Sequence, residues 1–244
     1  MNYLREMYRL AQQRARDLKP VKDKNYPIRP FKVVLQDMAI IAEIKYATPA
    51  EGNLGVREKP GRLAKMFEDF GAKAISCLTE PRYFSGDLAF IPKIKLKCTL
   101  PVLMKDFIVD ERQILSGRAR GADAFLLIAE MLSLEELRRL YRFGQDLGMD
   151  VLVEAYGRKG LEQALEIGAE VMGVNSRNLA TLAVKPERHA EMIRLLPSGV
   201  VKVAESGIRS GARLKELKDM GYDAVLIGRA LTDEVYRKDI FACG

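Results

Sequence analysis

A single (β/α)8 TIM barrel of the α/β class is the fold predicted by this sequence, and three observations predict it. Apolar runs of strand length recur at about 39–44, 74–78, 101–104, 123–128, 150–154, 170–174, 200–204 and 223–227. Amphipathic helical patterns separate them, and several end in a glycine before the next run: Gly71, Gly121, Gly148, Gly168 and Gly221. The runs are apolar almost without alternation, as parallel strands buried on both faces must be. Eight such repeats close most naturally into a barrel. An open doubly wound sheet is the alternative, and no G-x-G-x-x-G follows the first run to support it. The length of 244 residues suits one barrel, and an apolar fraction of 48% can fill its core.

Residues 2–18 carry an apolar stripe at helical spacing, through Leu4, Met7, Tyr8, Leu10, Ala11, Ala15 and Leu18. Pro20, Pro27 and Pro30 then make an extended linker, and Phe31 to Leu35 reads as a short second helix. The chain therefore divides into an N-terminal helical extension, 1–38, and the barrel, 39–244. Between the strands, helices are predicted over 62–70, 88–96, 111–120, 134–147, 161–167, 187–196 and 212–220. A final helix opens after Gly228.

Composition narrows the function classes. The net charge is +7, and residues 1–38 hold nine Lys/Arg against four acids, which is +5 of it. No interleaved aromatics or binding motif accompany these charges, so nucleic acid is not the expected partner. A solvated helix and linker is the plain reading, and an anionic small substrate is the next. No run of 18 apolar residues indicates a membrane span, and the N-terminus lacks the apolar centre of a signal peptide. Cys77, Cys98 and Cys243 are scattered and odd in number, which fits a reduced, cytoplasmic setting. His189, the one histidine, lies in a helical stretch and is expected at the surface. With no His/Cys set and no second histidine, neither a metal site nor a Ser-His-Asp device is expected.

In such barrels chemistry sits where the strands finish. Val102-Leu103-Met104-Lys105-Asp106-Phe107 delivers an ammonium at the end of an apolar strand, where it must be paired or used. Alternation puts Leu103, Lys105 and Phe107 on one face. The first strand ends in Glu43 and Lys45, two apart and on one face. The fifth ends in Glu154, and the sixth in Asn175 with Arg177 on its face. These rims form a polar cluster at one mouth. The seventh and eighth ends, Ala204-Glu205-Ser206-Gly207-Ile208 and Leu226-Ile227-Gly228-Arg229-Ala230, place glycines before helices, which suits a phosphate seat, with plain tight turns as the alternative.

Taken together, Ala-Glu-Ile-Lys-x-Ala-Thr-Pro (42–49), Lys-Asp-Phe-Ile-Val-Asp-Glu-Arg-Gln-Ile (105–114), Leu-Val-Glu (152–154), Val-Asn-Ser-Arg-Asn-Leu (174–179) and Ala-Glu-Ser-Gly-Ile (204–208) resemble indole-3-glycerol-phosphate synthase. The resemblance spans nearly the whole chain. It implies a decarboxylating, dehydrating ring closure of 1-(2-carboxyphenylamino)-1-deoxyribulose 5-phosphate to indole-3-glycerol phosphate, in tryptophan biosynthesis. By this similarity Lys105 is the general acid, and Glu43 and Glu154 are acid/base partners whose order stays open. Lys45 binds the substrate carboxylate and assists water loss, and Asn175 orients the cluster. Thr48, Arg177, Ser206, Gly207, Gly228 and Arg229 are substrate-binding, and Phe84 and Phe107 wall the aromatic ring. No cofactor is implied, a monomer is expected, and the basic extension would cover the C-terminal mouth.

The sequence departs from the family pattern at Tyr46, where arginine is frequent, and at Ala50, where serine is frequent. Tyr156 stands where histidine is common, and Arg229 where a small or acidic residue is. Two rivals remain. Phosphoribosylanthranilate isomerase would need a cysteine ending the first strand, whereas Cys77 lies within the second. A basic barrel that binds RNA would draw on the N-terminal charge alone.

Overall fold

The computed structural model describes residues 3–22 and 24–243. Met1, Asn2 and Asp23 of the predicted extension, and Gly244 at the end of the barrel, lie outside them. Eight parallel strands close into a barrel in sequence order: β1 (Ala39–Ile44), β2 (Ala74–Leu78), β3 (Val102–Lys105), β4 (Ala124–Ile128), β5 (Asp150–Ala155), β6 (Val171–Asn175), β7 (Val201–Glu205) and β8 (Ala224–Ile227). Closure is made by β8 on β1, with Ala42 beside Ile227. Every predicted strand is present, its ends displaced by at most a residue or so. All six residues of β1 are buried, because helices cover the outside of a sheet whose inside is already packed.

The helices are α1 (Tyr3–Asp17), α2 (Pro60–Asp69), α3 (Pro81–Phe84), α4 (Phe90–Lys95), α5 (Glu111–Arg118), α6 (Leu134–Asp146), α7 (Arg158–Glu166), α8 (Arg188–Ile193), α9 (Gly211–Met220) and α10 (Glu234–Phe241). Their ends follow local chemistry. Ser133 and Glu136 form a reciprocal capping box on α6, and Ser210 caps α9, which stops at left-handed Gly221. Two elements were not legible in the periodicity. One is the four-residue α3, held by the Glu80 carboxylate accepting from three backbone N–H groups. The other is an antiparallel hairpin, Ala47–Thr48 with Gly52–Asn53.

The N-terminal extension ties both ends of the barrel. Met7, Ala11 and Ala15, four apart, are the buried stripe of α1. That helix lies on the C-terminal side, along the β2–β3 edge. Arg14 forms two hydrogen bonds with Asp106, at 2.7 and 3.1 Å, and Thr79 donates to the same carboxylate at 2.7 Å. Tyr8 donates to Glu136 at 2.6 Å, and the Tyr3 ring meets the edges of Tyr83 and Phe107. The linker then crosses to the N-terminal end. There Arg29 donates to the carbonyls of Cys98 and Leu100, and Asp150, at the start of β5, accepts from the N–H groups of Phe31 and Lys32. A single 3-10 turn at Lys32–Val34 replaces the predicted second helix, and Phe31 and Leu35 around it are 0% exposed. Arg14, Arg29 and Lys32, three of the segment's nine cations, are thus spent on ties to the barrel.

His189 is not at the surface. One face of α8 lies on the barrel, and the imidazole is fully buried. Its Nδ1 accepts from Arg213 at 3.1 Å, which leaves Nε2–H to donate to the Glu205 carbonyl at 3.1 Å. Burial lowers its pKa to about 4, so the neutral ring belongs to the packing.

Candidate active site

The C-terminal ends of the strands surround a cavity of about 440 Å3, ample for one phosphorylated small molecule. The residues that reach it are placed by register. Leu78 of β2 pairs with Lys105 of β3, Glu154 of β5 lies opposite Gly173 of β6, and Asn175 opposite Glu205 of β7. Lys105 Nζ is 3.2 Å from Glu154 Oε2 and 3.5 Å from Glu205 Oε2. Asn175 Nδ2 donates to the other Glu154 oxygen at 2.8 Å, while Asn175 Oδ1 accepts from the Arg177 N–H. Lys45 donates to Glu43 at 2.7 Å on the neighbouring wall. The ammonium of residue 105 therefore meets carboxylates from different strands at one rim.

Burial and charge compete at these groups. Burial alone would lower the Lys105 pKa, but Glu154, Glu205 and Glu43 outweigh it and raise the value above the ordinary lysine range. Burial would raise Glu43, and Lys45 and Lys105 reverse that, leaving it below the usual carboxylate value. Glu205 is the exception: burial and then the adjacent Glu154 push its pKa well up, against the pull of Lys105. Burial and a like-charged neighbour thus favour the protonated form of Glu205, which lessens the negative charge the buried set has to hold. Gly173 makes the arrangement possible, since a Cβ there would collide with Glu205 Oε1. Glu205 stands at its strand end as Glu154 does at its own. The same signal was in the sequence, although the resemblance had attached no role to that residue.

The remaining predicted residues divide. Phe84 and Phe107, with ring centroids 6.3 Å apart, form an apolar wall with Leu126 and Ile128. Arg177, Ser206, Gly207, Gly228 and Arg229 all line the cavity. Ser206 and Gly207 have successive positive φ values of 66° and 70°, which turns the chain sharply before α9. At Gly228 a Cβ would lie 2.5 Å from Glu43 Oε1 and 2.8 Å from Lys45 Nζ, so only glycine leaves the pair undisturbed. Thr48 is not in the wall; its hydroxyl accepts from the Glu51 N–H at 3.0 Å and shapes the hairpin. Glu51, Glu80 and Arg209 also line the cavity, and no pattern in the sequence marks them. They sit on loops, where no periodicity announces a side chain's direction.

The departures have local explanations. Tyr46 donates to the Glu58 carbonyl at 2.8 Å and packs edge-on against Phe90. The Arg188 guanidinium lies over the Tyr156 ring at 4.7 Å. Among the described residues no group of three or more His, Cys, Asp or Glu could hold a metal ion, and no helix is long and apolar enough to cross a membrane.

A relative from Campylobacter curvus called indole-3-glycerol phosphate synthase is 45% identical over 193 residues, covering 79% of this chain and 74% of its own. One of the same name from Campylobacter hominis is 42% identical over 205 residues, covering 84% and 76%. The fold alone is shared with 3-hexulose-6-phosphate synthase from Salmonella typhimurium, at a TM-score of 0.65 and 17% identity over 84% of this chain and 98% of that one. The family model described as indole-3-glycerol phosphate synthase matches residues 4–240, and the chain belongs to that family.

Proposed function

We propose that this cavity closes the indole ring of 1-(2-carboxyphenylamino)-1-deoxyribulose 5-phosphate, with loss of carbon dioxide and water, and that Lys105 is its general acid. The observation that carries the reading is the Lys105 ammonium between Glu154 and Glu205 at a rim whose far side is the Ser206–Gly207 turn. Neighbouring carboxylates keep that ammonium protonated, so a proton is in place when substrate arrives. As the aromatic carbon bearing the carboxylate attacks the ketose carbonyl, Lys105 protonates the developing alkoxide.

Lys45, 2.7 Å from Glu43, binds the substrate carboxylate and assists the later loss of hydroxide as water. Glu43 and Glu154 take and return the remaining protons, and Asn175 holds Glu154 in orientation. The wall of Phe84 and Phe107 favours decarboxylation, because a carboxylate leaving as neutral carbon dioxide escapes the cost of sitting against apolar surface. The aniline ring accepts the electrons, so these steps need no further group. Ser206, Gly207, Gly228 and Arg229 seat the phosphate, with backbone N–H groups near a helix start and one guanidinium. A monomer in the cytosol completes the reading, in keeping with the buried thiols of Cys77 and Cys98.

Incubating the protein with this substrate tests the proposal. Indole fluorescence should rise, undisturbed by the protein, which has no tryptophan. A flat trace at saturating substrate with folded protein would reject it.

A further inference from the structure

Glu51 places a carboxylate beside the cations that an incoming phosphate would use. It sits at the tip of the Ala47–Thr48/Gly52–Asn53 hairpin, and its Oε2 accepts from Arg229 Nε at 2.8 Å. Arg229 follows Gly228 at the end of β8, so one ion pair bridges the first and last βα loops across the rim. Both residues line the cavity with Arg209, Ser206 and Gly207. The bond from Arg229, with Arg209 and Lys45 nearby, holds the Glu51 carboxyl below its usual pKa.

Each partner is aimed by its own surroundings. The Glu51 N–H donates to Thr48 Oγ1 at 3.0 Å, and Thr48 lies opposite Gly52, whose φ of 66° turns the hairpin. On the other side Arg229 Nη1 donates to Thr232 Oγ1 at 2.9 Å, and that hydroxyl donates to the Arg229 carbonyl at 2.8 Å. The pair is still 49% and 45% exposed at its side chains, so water weakens it and a stronger anion can break it. A phosphomonoester dianion is such an anion, and it cannot share one guanidinium with a carboxylate without repulsion.

We propose that Glu51 is an internal competitor for the phosphate seat, pinning the first βα hairpin across the rim through Arg229 until a phosphomonoester takes the guanidinium. This rests on the phosphate seat assigned above. In the free protein Arg229 is parked on Glu51; in the complex the hairpin is released from β8 and Arg229 turns to the ligand.

The test uses inorganic phosphate as the probe, by calorimetry and as a competitive inhibitor of ring closure. Glu51→Gln should bind it about 2- to 10-fold more tightly than the parent, from loss of a half-exposed pair and one like charge. Arg229→Ala should bind it more weakly, and Glu51→Gln added to Arg229→Ala should bring little further gain, because the two act through one contact. Unchanged or weaker binding in Glu51→Gln, while phosphate still inhibits the parent, overturns the competitor and leaves the seat standing. So does a gain that persists undiminished without Arg229. A parent that phosphate does not inhibit removes the seat itself, and the competitor with it.

Discussion

Replacing Lys105 by methionine keeps most of the side-chain volume and removes the charge, so its cost can be worked from the geometry. At an effective dielectric near 20, a pair 3.2 Å apart, as Lys105 and Glu154 are, attracts by about 5 kcal/mol before desolvation. Removing one partner of such a buried pair typically costs about 3–5 kcal/mol, since the other is left in the interior. The deficit should depend on pH. Lys105 lowers the pKa of Glu205 and Glu43, so without it both carboxyls hold protons more strongly in the folded protein. A carboxyl whose folded pKa exceeds its unfolded one adds stability that is full below the unfolded value, roughly 4.3, and is lost as pH rises through the folded value. Lys105→Met should therefore be most destabilised near pH 8 and recover towards pH 5. Loss of the general acid should cost about 10²- to 10⁴-fold in kcat, with product still bound. Urea melts at the two pH values and the indole fluorescence rate measure both effects. A folded variant with kcat within about tenfold of the parent would take Lys105 out of the chemistry. A deficit equal at both pH values would refute the charge argument.

Glu205→Gln keeps the shape of a carboxyl whose protonated form is favoured by burial and by Glu154. The parent should lose stability as pH rises from the carboxylate range through the raised Glu205 value, whereas the variant's urea midpoint should change less between pH 5 and pH 8. Gly228→Ala pushes first on the side-chain ends of Glu43 and Lys45. It should lower kcat/KM by roughly 10- to 100-fold, as misplacement of a catalytic pair does, while Tm shifts by a few degrees at most. The buried ring of Phe31 under the barrel makes Phe31→Ala a packing mutant, destabilising by about 3–5 kcal/mol in urea. Deleting 1–38 would remove that ring and Leu35 together, so it should impair folding rather than only raise KM; a truncated chain of parental stability would contradict this.

The barrel was readable because its code is redundant. Each strand is an apolar run, the helices between them apart from the short α3 carry a stripe, and Gly71, Gly121, Gly148, Gly168 and Gly221 all take the positive φ that ends a helix. Glu43, Lys45, Lys105, Glu154 and Asn175 were also readable, since a charged or amide group at the end of a buried strand has few places to go. Thr48 stands outside the cavity wall because a loop's direction is not periodic, and His189 is buried where the surface was expected because a short helix does not announce which face it buries.

What the sequence determined by itself is therefore the repeat, and with it which residues stand at strand ends. Tertiary structure alone decided which of those ends meet. Register places Glu205 beside Lys105 and Glu154 through the space left by Gly173, so burial and a like-charged neighbour raise its pKa. It also decided that Phe31 and Leu35 pack beneath the barrel and that Arg229 reaches Glu51. Such contacts join residues far apart in the chain, and local propensity carries no record of distances that arise only when the barrel closes.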